Sequence, residues 1–360
     1  MEWKENWAET RQRLTDWWDR TGVVIGSWGA PSAGGPVHDP DFPKPEVTKP
    51  NEEFRDPDLR AALAHYSLAS MRYPLDSFPV AAPDIGPGTL CLFLGCEPEF
   101  DPPNIWYKPC IDPADPEGHP PIRFDPTTQW WQYMERTLQR SVELGRGKYL
   151  VGCPDLIENI DTLAAMRDSQ ILLMDMIERA EWVEQKLAEI NQAWFEAFER
   201  IYAIAAEPDG SSSFGAFRVW GPGKCAKLQS DASAMISPEM FERFVVPMLT
   251  EQCRYLDHSL YHLDGTQAMV HLDLLLEIEE LDAIEWTPQS GIERGDHPRW
   301  YPMYRKIVEA GKSVQIMGAT PETLRDIFDA VGTNGLYFLT GLGDEERTAE
   351  FARVRQEFTG

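Results

Sequence analysis

A regular alternation of strand-like and helix-like segments in the last third of the chain constrains its fold most. Four short apolar runs are each followed by an amphipathic segment: "SLYHLDG", "DAIEWTP", "KSVQIMG" and "GLYFLTG". Such alternation predicts parallel βα units, because parallel neighbours need a long crossover connection. Earlier runs ("VVIG", "FPVAA", "KYLVG", and "FRVW" with "AKLQS") bring the count to about eight. Eight units predict a (β/α)8 TIM barrel of the α/β class.

The remaining segments indicate how the barrel is elaborated. No GxGxxG motif follows the first strand, which argues against a dinucleotide-binding sheet. We expect one barrel domain over residues 1–360, with an N-terminal helix within residues 3–19 and an insertion near residues 84–126. In this region "TLCLFLG" and "NIWYKPCI" look like strands, and the insertion can be a hairpin. It serves either as a pocket wall or as a surface elaboration.

Charge and hydropathy exclude several classes of function. The chain has 33 Lys and Arg against 59 Asp and Glu, a formal charge of −26. A chain this acidic repels nucleic acid and anionic membrane, so we expect neither as a partner. No run of about eighteen apolar residues occurs, and the start "MEWKENWAETRQRL" is unlike a signal peptide. With six cysteines and no CxxC pair, a cytoplasmic protein with free thiols is expected.

His262 and Asp264 are the central candidates for chemistry. In a TIM barrel the site lies at the carboxyl ends of the strands, and these two residues end the "SLYHLDG" strand. Since they are two positions apart, their side chains point to the same side. A His-x-Asp pair can bind a divalent metal, transfer protons with the substrate, or simply satisfy a strand end. The spacing alone leaves these three readings open.

Other strand ends supply further candidates. Asp231 and Glu285 are candidate catalytic carboxylates, although a loop-closing turn and ordinary strand-end packing explain them equally well. Several side chains near strand ends are candidates for binding the substrate or walling its pocket. These are Trp28, Trp220, Trp286, His271, Met317 and Asp155.

Residues 145–360 also resemble a known family. The run "LQSDASAMISPEMFERFVVPMLTEQCRYLD", then "YHLDG", "LDAIEW", "GKSVQIMG" and "TPETLRDIFDAVGTNGLYFLTG", is similar to the uroporphyrinogen decarboxylase superfamily, which includes corrinoid-linked methyltransferases. The resemblance implies a TIM barrel. An early arginine-rich motif for the porphyrinogen propionates is absent from "WDRTGVVIGSWGAPSAGG", and the charge of −26 suits that substrate poorly. The methyltransferase-like branch is therefore favoured.

In that branch the resemblance implies zinc held by a His-x-Cys strand and a late cysteine. His262 matches the histidine, but Asp264 replaces the first cysteine and Leu342 the second. A soft, thiol-activating zinc site is not expected with these replacements. A harder divalent site that uses His262, Asp264 and Glu285 is one alternative. Direct binding of the substrate without metal is the other.

The function that follows is methyl transfer between a small methylated or methoxylated compound and a corrinoid on a partner protein. The resemblance also implies a homodimer. One alternative is a decarboxylase or lyase acting on another small acid, which needs a cationic clamp, with Arg218 and Lys224 as candidates. The other is a barrel that binds a small molecule without catalysis.

Overall fold

The computed structural model describes residues 1–101 and 104–360, so residues 102 and 103 of the predicted insertion lie outside it. A six-stranded parallel sheet, in the order β1-β14-β13-β12-β11-β10, forms its centre. The strands are β1 (Val23–Gly26), β2 (Ala30–Pro31), β3 (Met71–Arg72), β4 (Val80–Ala81), β5 (Glu97–Asp101), β6 (Asn104–Lys108), β7 (Leu150–Val151), β8 (Ser212–Phe214), β9 (Val219–Gly221), β10 (Cys225–Gln229), β11 (His258–Asp264), β12 (Ala283–Thr287), β13 (Ser313–Met317) and β14 (Leu336–Leu339). The strands that dominate the last third were predicted correctly.

Helices follow most of these strands, as the alternating pattern predicts. They are α1 (Trp7–Trp18), α2 (Pro57–Ala69), α3 (Thr89–Phe93), α4 (Gln129–Gly145), α5 (Asn159–Arg167), α6 (Ser169–Glu178), α7 (Ala180–Ala205), α8 (Pro238–Phe244), α9 (Val246–Tyr255), α10 (Gly265–Ala268), α11 (Leu272–Glu277), α12 (Tyr301–Glu309), α13 (Pro321–Val331) and α14 (Glu345–Thr359). Thr320 caps α13, with Pro321 at its first position. No helix within the described residues is long and apolar enough to cross a membrane.

Two further parallel strands lie beside the central sheet. β4 pairs with β7, and the backbone N–H of Asp76, just before β4, donates to the carbonyl of Ile25 in β1 (3.0 Å). On the other side, the N–H of Cys153 after β7 donates to the carbonyl of Ser213 in β8 (2.8 Å). The mixed α/β class is confirmed, whereas closure into an eight-stranded barrel stays a prediction.

The segments between β7 and β10 and around residue 90 differ from the predictions. The "FRVW" run does not continue into "AKLQS", because β9 folds back antiparallel on β8. The "TLCLFLG" run, predicted as a strand, forms α3. Leu90, Leu92 and Phe93 are buried, and a short buried apolar run suits a strand as well as a helix, so hydrophobicity alone does not distinguish the two.

The insertion contains the expected hairpin, formed by antiparallel β5 and β6. Tyr107 on β6 donates its hydroxyl to the carbonyl of Ile85 (2.9 Å), which holds the hairpin to the segment that follows β4. Gly86 permits this contact, since its φ is +72° and an added Cβ would lie 2.7 Å from the Tyr107 hydroxyl. A glycine is required here by both the backbone angle and the close approach.

The N-terminal helix covers the amino ends of the strands. The Trp17 indole donates to the carbonyl of Gly335 (3.1 Å), just before β14. Ser313, the first residue of β13, donates its hydroxyl to the carbonyl of Trp17 (2.6 Å). With this end covered, the carboxyl ends of the strands are where a site has room to form.

Candidate functional site

A row of polar side chains crosses one face of the central sheet. The register pairs Gln229 with His262, His262 with Glu285, Glu285 with Gln315 and Gln315 with Tyr337. Since strand neighbours in register share a face, all five side chains point the same way. Buried parallel strands are normally continuous apolar runs, so this polar row marks a departure from a purely structural core.

His262 and Glu285 form the hydrogen-bonded pair at the middle of this row. The imidazole Nδ1 contacts Glu285 Oε2, and the Glu285 side chain is fully buried. Thr287 donates its hydroxyl to the other oxygen of Glu285 (2.7 Å), which fixes the carboxylate. Burial lowers the pKa of His262, but the charge and hydrogen bond of Glu285 outweigh it, so the pKa is raised above the ordinary value. The Nε2 nitrogen of His262 remains available to a substrate or ion.

Two carboxylates lie close to the imidazole of His262, on the strand ends just beyond the polar row. Asp231, Asp264 and His262 each offer a ligand atom within 4.8 Å of the other two. Gln229 donates its amide to Asp231 (2.9 Å) and orients it. Desolvation raises the pKa of Asp231, while the charges of His262 and Lys227 oppose that effect. The structure thus brings together four sequence-predicted residues: Asp231, His262, Asp264 and Glu285.

This donor set suits a divalent cation with a preference for nitrogen and oxygen. One imidazole and two carboxylates favour harder ions over a thiolate-type zinc site. The Glu285 hydrogen bond to the opposite ring nitrogen is the outer-shell arrangement that orients metal-binding histidines. Leu342, which the sequence resemblance sets in place of a late cysteine ligand, is buried and offers no ligand atom.

Lys227, one row below, is a buried cation under the site. Its ammonium donates to Asp155 (2.5 Å) and to the side chain of Gln229. Burial lowers the pKa of Lys227, but the charges of Asp155 and Glu158 outweigh it and raise the pKa. Asp155, predicted to bind substrate, is therefore held by Lys227 at the edge of the cluster.

Two acidic residues of the α5 region support the strand that carries Asp231. Glu158 accepts the backbone N–H of Gln229, and Asp161 accepts those of Asp231 (2.7 Å) and Ala232 (2.8 Å). Burial raises the pKa of Glu158 to about 8. Burial and the neighbouring Asp231 raise the pKa of Asp161 to about 7. These contacts fix the turn after β10, where Asp231 projects.

Trp28 and Met317 lie at the carboxyl ends of β1 and β13, as expected. Met317 is half-buried and shares the face of Gln315, two residues before it. Trp28 is 44% exposed, and its indole donates to the carbonyl of Ala216 (2.7 Å) in the β8–β9 turn. Phe217 of the same turn lies 4.8 Å from the His262 ring, so this turn covers part of the site.

Three predicted binding residues do not line the site. Trp220 is buried against Trp7 of α1, near the amino ends of the strands. Trp286 points to the opposite face from Glu285 and packs on Trp300, because adjacent strand residues alternate sides. His271 is buried and donates to the carbonyl of Ser233 (2.9 Å), so it supports the turn after Asp231 from behind.

Several members of the cluster were not recognised in the sequence. The sequence pattern places four of them within strands and indicates no role for them at the site: Lys227, Gln229, Gln315 and Tyr337. A signal was available, since Lys227, Gln229 and Asp231 alternate in "AKLQSD", a run expected to be buried. Glu158 and Asp161 carry no comparable pattern, because their approach depends on the packing of α5.

The two candidates for the cationic clamp that a decarboxylase needs have different surroundings. Lys224 pairs with Glu199 and Tyr255, away from the site. Arg218 is largely buried and donates to the backbone carbonyls of Val80 (2.7 Å) and Trp28 (3.3 Å). Lys224 is thus engaged by a carboxylate, whereas Arg218 forms no ion pair within the described residues and its buried Nε has no hydrogen-bond partner there.

Comparison with known proteins supports the fold. No family profile and no curated protein sequence matches this chain. Among solved structures, a methyltransferase from Methanosarcina mazei is similar, with a TM-score of 0.63 over 98% of this chain and 99% of that one. The two sequences are 12% identical, so the likeness concerns the fold alone. The chain has the overall fold of that methyltransferase.

Proposed function

We propose that this protein is a methyltransferase that moves a methyl group between a small methylated or methoxylated compound and a corrinoid carried by a partner protein. The observation that carries the proposal is the His262–Glu285 pair, set beside Asp231 and Asp264 at the strand ends. The fold shared with a known methyltransferase supports it. In this proposal residues 1–360 form one domain, in which β4 and β7 complete an eight-stranded (β/α)8 barrel with the central sheet.

The chemistry follows from the raised pKa of His262. Breaking a methyl–heteroatom bond leaves the bonding electron pair on the heteroatom, which must then be stabilised. Protonated His262 donates its Nε2 proton to that atom, while Glu285 holds the ring and favours the charged form. The methyl group passes to the acceptor on the open side. Asp231 and Asp264 orient the heteroatom by its hydrogens or positive charge.

A divalent ion fits the same residues. His262 Nε2, Asp231 and Asp264 would hold it, with Glu285 orienting the imidazole. When bound, such an ion would polarise the substrate heteroatom as a Lewis acid. Elemental analysis of the purified protein, repeated on Asp264→Asn, distinguishes the two arrangements. A stoichiometric metal that Asp264→Asn loses supports the metal site, and a metal-free protein that turns over supports proton donation alone.

Turnover with a panel of O-, N- and S-methyl donors and cob(I)amide as acceptor tests the function. Loss of the cob(I)amide absorbance reports transfer. We expect His262→Asn to lower the rate by about 10²- to 10⁴-fold, the usual effect of losing a general acid. Asp326→Asn, at an exposed position of α13, is the matched control and should keep the rate. Donors that bind yet never transfer methyl to the acceptor would contradict the proposal.

A further inference from the structure

A groove adjoins the candidate site on the side of the hairpin. It has a volume of about 370 Å³, which lies within the usual range of about 300–1,000 Å³ for small-molecule sites. One wall is β6 of the hairpin, and the other is α5 with the turn after β10. Asp231 belongs both to this groove and to the cluster around His262, so the groove opens onto the candidate site.

The lining of the groove is apolar along its length and acidic at the end shared with the site. Apolar side chains provide most of the wall: Pro87, Ile105, Trp106, Tyr107, Ile157, Ala164, Ala165 and Met235. Trp106 and Met235 are 59% and 54% exposed, so two large apolar side chains of the groove face solvent. Asp161 and Asp231 are the carboxylic acid side chains that line the groove within the described residues.

The charges around the groove indicate which kind of ligand it can bind. Within the described residues no Lys, Arg or His side chain lines the groove. Asp231 accepts only an amide hydrogen from Gln229, and no ion pair involves it or Asp264 in the described part of the chain. An anionic ligand would be repelled by Asp231 and Asp264, whereas a cation would gain their attraction, which the charges of His262 and Lys227 beside Asp231 reduce in part. An indole face such as that of Trp106 also attracts cations.

We propose that the groove binds an N-methylated ammonium compound with a flat apolar body. The body lies between the hairpin and α5, and the ammonium group meets Asp231 next to His262. This inference rests on the proposed function and names its substrate class. Transfer of one methyl group would break a C–N bond, leave the electron pair on nitrogen as an amine and add the methyl to the cob(I)amide acceptor. His262 then protonates the released amine.

Calorimetric titration tests the substrate class without turnover, so its outcome is independent of the methyl-transfer assay. Three ring-matched probes are compared: benzyltrimethylammonium, benzyl methyl ether and phenylacetate. We expect the cation to bind at least about tenfold more tightly than the ether, a difference of about 1.4 kcal/mol, and phenylacetate to bind most weakly. Equal affinity for cation and ether would overturn the proposal.

Variants locate the binding. Asp231→Asn should remove the preference for the cation, and Trp106→Ala should weaken the binding of both the cation and the ether. Ser169→Lys places a positive charge on an exposed position of the groove rim. It should therefore weaken binding of the cation and strengthen binding of phenylacetate without disturbing the core. Asp326→Asn is the matched control. The proposal would be overturned if the preference for the cation survived both Asp231→Asn and Ser169→Lys, because the ligand would then bind elsewhere. It would also be overturned if Asp326→Asn removed the preference to the same extent.

Discussion

At the scale of single residues, the proposed chemistry depends on how Glu285 changes the pKa of His262. A buried imidazole with no partner would be neutral near pH 7, because burial disfavours its charged form. The buried carboxylate at its Nδ1 reverses that tendency and raises the pKa. His262 therefore keeps a proton to donate over a wider pH range than an isolated buried histidine would.

Glu285→Gln tests this coupling. With the charge removed, burial dominates, and we expect the pKa of His262 to fall below its value in the unchanged protein. Titration of labelled histidine by NMR, with a chelator present, measures it. Since the protonated form donates, activity is retained below the pKa and lost as pH rises through it. The alkaline limb of the rate profile should move to lower pH in the variant. An unmoved pKa, with Asp326→Asn as control, would rule the coupling out.

At the scale of elements, the sequence was informative where local pattern decides structure. The strands of the last third, the cap at Thr320 and the strand-end positions of His262 and Asp264 were all predicted. The hairpin β8–β9 and helix α3 were not, because their apolar residues are buried in any arrangement. The contact of Asp161 with the turn after β10 could not be predicted either, since it joins residues 70 positions apart.

The position of the β5–β6 hairpin depends on the close contact between Gly86 and Tyr107. We expect Gly86→Ala to destabilise the protein by about 1–2 kcal/mol from its left-handed backbone alone, and further by displacing Tyr107. Gly147→Ala is the matched control, because its φ is +75° but nothing lies within 4 Å of its Cβ position. Denaturant unfolding measures the total loss in the free energy of unfolding for each variant. Hydrogen exchange in residues 104–108 should rise in Gly86→Ala only, and equal exchange in both variants would contradict the role of Tyr107.

At the scale of the whole molecule, Asp76 joins the two ends of the chain to the sheet. This fully buried carboxylate pairs with Arg13 of α1 and with Arg355 of α14 (2.6 Å). It also accepts the backbone N–H of Ile25 in β1 (2.9 Å). Both arginines are more than 70% covered, so little solvent screens the network. Terminal helices are thereby held on the strands that frame the site.

Asp76→Asn should therefore be costly. Removing one partner of a buried ion pair leaves the others uncompensated, and we expect the free energy of unfolding to fall by about 3 kcal/mol. Asp273→Asn removes an exposed pair with Lys306 and should change it by less than about 1 kcal/mol. Chemical denaturation of both variants measures the difference. Similar small losses in the two would contradict the anchoring role.

The proposed transfer of a methyl group at this site can be measured by following the methyl carbon. A donor labelled with carbon-13 in its methyl group is mixed with stoichiometric protein and cob(I)amide, and carbon-13 NMR then locates the label after one turnover. We expect a cobalt-bound methyl signal with the unchanged protein and with Asp326→Asn, and a much slower appearance of that signal with His262→Asn. Label that stays on a bound donor, or the same rate in His262→Asn, would contradict the proposal.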